Sequence, residues 1–211
     1  MRLATLFTTL FAAFFTALPA MAQTQTALVA GGCFWCVEAD FRRVEGVTDA
    51  RVGFAGGRQP NPSYDEVSGG DTNHLEVTQI TFDAGQISYR QILDLFLRSI
   101  DPLDAGGQFC DRGESYTTAI FATPEQKPIA KAAIAAAEAE LGRSIVTPVS
   151  DMATFYPADH SHQTYAKSEE RTLTRFGWVQ RKDAYKRYRD ACGRDARVRE
   201  IWGNAAPFAG G

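Results

Sequence analysis

The sequence predicts an α+β fold: a two-layer sandwich in which helices pack on a mixed β-sheet, with a ferredoxin-like core. Three observations lead there. Short β-rich runs alternate with helical periodicities from residue 26 onward. The runs are brief, and the one at 74–82 keeps a polar face for half its length, unlike a parallel sheet buried on both sides. The chain has 211 residues and is 45% hydrophobic, enough for one compact domain with its own core.

The first 22 residues stand apart. Arg2 gives a positive start, and residues 3–18 are apolar apart from threonines. Pro19 ends the run, and Ala20-Met21-Ala22 offers small residues at a cleavage point. This pattern predicts a secretory signal peptide cut before Gln23, an exported periplasmic protein, and a single domain over 23–211. All four cysteines then reach an oxidising compartment.

Residues 26–31 read as a short buried strand. Residues 34–44 read as a helix, with Val37, Phe41 and Val44 on one face. A strand over 47–54 ends at Gly56-Gly57, and a Gly- and Pro-rich loop fills 58–70. In the strand at 74–82, Leu75 and Val77 alternate with His74, Glu76 and Thr78, and Ile80 and Phe82 then fall on the other face. Ser88 and Gln91 form a capping box that starts a helix to about Ile100. A strand over 116–122 precedes Thr123-Pro124-Glu125-Gln126, a second capping box with Pro in the first turn. The Ala-rich helix after it stops at Gly142. A strand near 145–152 follows, and beyond Pro157 the chain reads as helical or irregular.

The chemistry concentrates in Gly31-Gly32-Cys33-Phe34-Trp35-Cys36, where a strand hands over to a helix. Free N–H groups and the positive dipole end at a helix start favour a thiolate at Cys33. Cys36 lies on the same helical face and is placed to attack an oxidised Cys33. The alternatives for a C-x-x-C are half a zinc site or a structural disulfide. No second C-x-x-C or H-x-x-x-H pair completes a zinc site, and Val37 after Cys36 excludes haem attachment. No metal or cofactor is expected. A net charge of -3 without a basic block argues against nucleic acid and against an anionic membrane surface.

Further motifs extend this reading. Phe54-Ala55-Gly56-Gly57, Ser63-Tyr64-Asp65-Glu66-Val67 and His74-Leu75-Glu76-Val77 come in order. Asp111, Gly113, Tyr116 and Ala119-Ile120-Phe121 follow, then Phe155-Tyr156-Pro157 with His162-Gln163 behind it. With Gly-Cys-Phe-Trp, Glu38 and Phe41, the chain over residues 27–166 resembles the A-type peptide-methionine sulfoxide reductases.

The resemblance implies reduction of methionine-S-sulfoxide in oxidised proteins or peptides. It implies Cys33 as nucleophile, Glu76 as proton donor, and Tyr64 and Tyr116 as hydrogen-bond donors to the sulfoxide oxygen. Phe34 and Trp35 would wall the S-methyl group, and Asp111 would hold the polar network. The sulfenic acid left on Cys33 would condense with Cys36, and a thioredoxin-like thiol donor would reduce the disulfide. The protein would act as a monomer.

Local chemistry alone leaves plainer roles open: Glu76 as a solvent-facing strand residue, Tyr64 as a loop anchor, Tyr116 as a core strand residue, Asp111 as a turn former. His74 and His162 read as structural hydrogen-bonders and Glu38 as a first-turn helix acid. Many family members carry Gly where Cys36 stands. Two schemes follow: Cys36 resolves Cys33 while Cys110 and Cys192 form a structural disulfide, or Cys192 resolves Cys33 or relays the disulfide outward. Phe54 replaces a family tyrosine, and His160-Ser161 also departs from the pattern. The competing functions are a general thioredoxin-like disulfide oxidoreductase using Cys33 and Cys36, and a binding domain with a structural disulfide.

Overall fold

The computed structural model describes residues 23–210. The signal-peptide reading falls on residues 1–22 and lies outside them. The elements in order are β1 (Thr24–Gly31), α1 (Phe34–Phe41), β2 (Val47–Ala55), α2 (Tyr64–Ser68), β3 (Leu75–Asp83), α3 (Tyr89–Leu97), β4 (Gly107–Gln108), β5 (Asp111–Arg112), β6 (Thr118–Ala122), α4 (Lys127–Leu141), β7 (Val149–Asp151), β8 (Tyr156–Pro157), β9 (Arg171–Thr174), β10 (Gly177–Gln180), α5 (Arg181–Ala191) and α6 (Arg194–Trp202). The main sheet runs β7-β6-β1-β3-β2-β8. Every neighbouring pair in it is antiparallel except β6 and β7, so the sheet is mixed, as expected.

The two faces of this sheet are unequal. On the helical face, Ala27, Val29, Ile80, Phe82 and Ile120 pack against Val37 and Phe41 of α1 and against Ile92, Leu93, Phe96 and Leu97 of α3. Helix α4 adds buried Ala130, Ala133 and Ala137 to this layer, with half-buried Ile134 and Leu141 packed against it. The opposite face carries a thinner cluster of Leu28, Ala30, Val77 and Phe121, covered by Ala153 and Phe155. The switch in β3 follows from this asymmetry. Val77 faces the thin side, while Glu76 and Thr78 share the helical face with Ile80 and Phe82. One end of that face is apolar core, and the other is where the polar site sits.

Both capping boxes form. Ser88 accepts from the Gln91 N–H while Gln91 Oε1 accepts from the Ser88 N–H at 3.0 Å. Thr123 and Gln126 exchange the same pair of bonds one residue before α4, whose end at Gly142 is left-handed at φ 62°. Three expectations shift. Helix α1 ends at Phe41 rather than Val44, because Arg42 turns its side chain onto Glu38, Asp49 and the Ala50 carbonyl. The loop at 58–70 contains α2, nucleated by a Ser63–Glu66 capping box legible in the sequence but unread. Tyr116 is not in a strand: Glu114–Tyr116 forms a 3₁₀ turn, and β6 begins at Thr118.

The segment after Pro157 holds three short 3₁₀ turns, the β9–β10 hairpin and the last two helices. Val198 and Trp202 of α6 join the helical-side core. Buried Asp40 of α1 accepts from Arg189 at 3.0 Å and from Arg43 at 2.8 Å, tying α5 to the start of the fold. Cys110 and Cys192 form a disulfide with Cα atoms 5.1 Å apart, closing a loop of 82 residues. A loop that long restricts the unfolded chain, so Cys110→Ser should cost about 2–4 kcal/mol of stability in urea unfolding. In dithiothreitol, the unmutated protein should fall to the same midpoint.

Candidate active site

Two glycines bring β1 to the start of α1. Gly32 has φ +73°, and a Cβ there would stand 2.4 Å from Gln108 Cβ, so only glycine fits. Gln108 is fully buried and bonds the Asp101 backbone in both directions, which fixes the β4–β5 hairpin beneath Gly32. That hairpin carries Asp111, and the turn after it carries Tyr116.

Cys33 is the N-cap residue of α1 and is half-buried; Cys36 is one turn on and buried. The first helical N–H, that of Phe34, does not serve the sulfur. It donates to Glu76 Oε2 at 2.9 Å. The positive end of the helix therefore serves the carboxyl group as well as the cysteine beside it. The Cys33 thiol hydrogen-bonds to Cys36, is desolvated, and faces Cys36, Glu76 and Asp111, all of which hold its pKa up. The same hydrogen bond lowers the pKa of Cys36, and Arg194 and Arg189 lower it further. The two thiols thus titrate as a pair that shares one proton when singly ionised, so either sulfur can carry the charge.

Glu76 is 2% exposed. Its cross-strand partner is Phe54, itself buried, which supplies an apolar neighbour where the related motif has a tyrosine. Burial pushes the Glu76 carboxyl up to about 8 against the Phe34 N–H bond, and nearby Asp111 adds to the rise. At neutral pH the group is mainly a carboxylic acid, able to give a proton. Burial likewise raises Tyr64 and Tyr116, each of which also feels Glu76, Cys33 and Asp111, so both phenols stay protonated. Asp111 is raised by burial and held down by Arg194 and Arg175. Cys33, Tyr64, Glu76, Asp111 and Tyr116 thus form one electrostatic cluster, drawn from five separate segments.

A cavity of about 350 Å³ opens on this cluster. Cys33, Cys36, Trp35, Tyr64, Asp111 and Cys192 are on its wall. Glu76 and Tyr116 lie beside it rather than on it. Phe34, expected on the wall, is 1% exposed and packs on Phe54 behind the site. Trp35 does face the cavity and stacks on Tyr165 with ring centroids 4.0 Å apart.

Several contributors were missed in the sequence. His162 stacks on Tyr64 at 4.3 Å and on Trp35 at 5.8 Å, and burial lowers its pKa, which leaves a neutral ring in the aromatic wall. Gln163 next to it bonds both the N–H and the C=O of Val52, imitating a strand partner on β2. Glu38 is not an exposed helix acid. It is 1% exposed, pairs with Arg42, and accepts the Thr164 N–H at 2.8 Å, pinning the His162 segment over α1. The His162-Gln163 pair was visible as a motif, but nothing local assigned it a partner 111 residues away. His74 holds the Gly57–Gln59 loop through both ring nitrogens, as its structural reading predicts. Among the described residues, no group of three His, Cys, Asp or Glu side chains is placed to hold a metal ion.

Comparison with known proteins agrees with this chemistry. A family model described as peptide methionine sulfoxide reductase matches residues 25–195. A peptide methionine sulfoxide reductase MsrA 2 from Rhizobium meliloti is 46% identical over 198 residues, covering 93% of this chain and 92% of its own. Its namesake from Caulobacter vibrioides is 40% identical over 205 residues, covering 96% and 98%. Among solved structures, reduced Mxr1 from Saccharomyces cerevisiae superposes with a TM-score of 0.65 at 29% identity, covering 75% of this chain and 93% of its own. Methionine sulfoxide reductase A of Corynebacterium diphtheriae gives 0.61 at 29% identity, covering 70% and 76%.

Proposed function

The chain belongs to the peptide methionine sulfoxide reductase family and reduces methionine sulfoxide to methionine, and from that premise we propose how its residues perform the reaction. Cys33 is the nucleophile. It passes its proton to the Cys36 thiolate and attacks the sulfoxide sulfur, while Glu76 protonates the departing oxygen. Tyr64 and Tyr116 donate hydrogen bonds to that oxygen, and Asp111 keeps the network aligned. Methionine leaves, and the oxygen stays on Cys33 as a sulfenic acid. Cys36 then attacks Cys33, water departs, and a Cys33–Cys36 disulfide remains for a thioredoxin-like dithiol to reduce by exchange. The observation that carries this reading is a buried carboxyl raised to about 8 beside a half-buried cysteine.

Trp35, backed by Phe34, holds the S-methyl group, and the preferred epimer is methionine-S-sulfoxide. Cys36 is the resolving residue, since Cys192 is engaged with Cys110. That disulfide also supports export to an oxidising, periplasmic compartment after loss of residues 1–22. The strand order β6-β1-β3-β2 supports a ferredoxin-like core. We read the working unit as a monomer and 23–211 as a single reductase domain. A general disulfide oxidoreductase would not need the two protonated phenols that join the carboxylic acid beside Cys33.

The test is product analysis with separated sulfoxide epimers and dithiothreitol as reductant. Only the S epimer should yield methionine. Cys36→Ser should release one equivalent of methionine per enzyme in a single turnover and recycle slowly. Turnover of insulin disulfides without any sulfoxide reduction would overturn the assignment.

A further inference from the structure

The β9–β10 hairpin leaves two large apolar side chains in water as a pair. Leu173 is 72% exposed and Trp178 is 59% exposed. They are cross-strand partners, so they stand side by side on one face of the ribbon. Single exposed hydrophobics such as Ile129 or Val146 need no explanation. This pair differs because it continues the catalytic cavity: Thr172, Leu173 and Thr174 line the same cavity as Cys33 and Trp35. The hairpin is a two-stranded sheet with no further strand beside it among the described residues.

Its back is held firmly. Phe176 in the turn packs edge-on against Tyr188 of α5 at 5.0 Å, and the Arg175 guanidinium lies over both rings. Arg171 donates to the Trp178 carbonyl at 2.6 Å across the strands. Of the nearby charges, Arg181 pairs with Glu170 and Lys182 with Glu169, while Arg171 and Arg175 are engaged by the Trp178 carbonyl and the aromatic rings.

The geometry points to a docking surface for the polypeptide that carries the oxidised methionine. The segment flanking the sulfoxide lies extended along β9, its apolar side chains resting on Leu173 and Trp178, while the sulfoxide enters the cavity toward Cys33. Methionine is usually a buried residue, so in a damaged and opened chain its neighbours are apolar. A strand rises about 3.3 Å per residue, which puts residues only a few positions from the sulfoxide over the hairpin. This surface rests on the reductase reading above and names the substrate class it favours: unfolded apolar polypeptide over the free amino acid.

The experiment compares the full protein with Leu173→Ser, Trp178→Ser and the double variant on two substrates. One is an unstructured peptide with a central methionine-S-sulfoxide between Leu and Phe; the other is N-acetylmethionine-S-sulfoxide. Trp178→Ser, which lies outside the cavity, should raise KM for the peptide by about fivefold with kcat unchanged and leave the small substrate within about twofold, and the double variant should raise KM for the peptide by about tenfold. Thermal unfolding should be unmoved, because both side chains are already in solvent. Equal losses on both substrates, or none on either, overturn the proposal. So does sedimentation showing a dimer that the variants dissolve. If the unmutated protein reduces neither substrate, the reductase reading itself falls. If it reduces both and the variants match it, only the docking surface falls.

Discussion

Cys33→Ser should abolish methionine formation while leaving the fold intact. The loss should be at least about 10⁴-fold in kcat, the scale seen when a catalytic nucleophile is removed. A serine hydroxyl is not ionised near neutrality, and oxygen cannot pass through the sulfenic acid and disulfide that carry the cycle. The structure also explains why unfolding will not confuse the result. Cys33 is the N-cap of α1 and makes no side-chain capping bond. Serine is among the better residues at that position, so the helix start is kept or slightly strengthened. The check is product analysis with dithiothreitol beside a thermal melt. An unchanged melt with full reductase activity would mean that another thiol does the chemistry. Cys36 is the candidate to watch, since its pKa is the lowered one in the pair.

That lowered partner marks where sequence reasoning reached its limit. The strand-to-helix placement of Cys33 was legible, and so was the alternation that put Glu76 on the same face as Ile80 and Phe82. Capping boxes at Ser88 and Thr123 set two helix starts without any tertiary information. These features are local, and local rules decide them. The state of the thiols is not local. Whether a helix start serves Cys33 alone or Glu76 as well depends on which group β3 delivers to the Phe34 N–H, 42 residues away. Arg189 and Arg194 act on Cys36 only because α5 and α6 fold back over α1, anchored by Asp40.

The same reason hid the aromatic wall. His162 read as a structural histidine, and in part it is one. Its place between Trp35 and Tyr64 is made by Gln163 capping the free edge of β2 and by Glu38 holding Thr164. Glu38 misled because a first-turn acid is the ordinary meaning of that position. Phe54, where the related motif has tyrosine, turns out to be the residue opposite Glu76. Its missing hydroxyl is one polar group fewer beside a carboxyl that burial keeps protonated. The β9–β10 hairpin escaped notice because four-residue strands of mixed polarity carry almost no periodic signal.

Glu76→Gln should lower kcat by about 10²–10⁴-fold, the usual worth of a positioned general acid, and should change the pH profile as well. An amide keeps the size of the side chain and can still accept the Phe34 N–H, but it has no proton to give. In the unmutated protein, activity should rise with pH as the Cys33–Cys36 pair loses its first proton. It should then fall about tenfold per pH unit above about 8, where Glu76 ionises. The variant's small residual rate should show no such fall. The substitution should move stability the opposite way from activity. The folded-state pKa of Glu76, about 8, exceeds its unfolded value of 4.5. Its contribution is therefore whole below pH 4.5 and is lost as pH rises through 8, because ionising the buried group penalises the folded state. By pH 9 that penalty is on the order of 5 kcal/mol. Glu76→Gln should thus unfold at a higher temperature than the unmutated protein at pH 9, with the gap closing at pH 5. If the two melt alike at both pH values, Glu76 is not held as a buried acid, and proton donation must come from elsewhere.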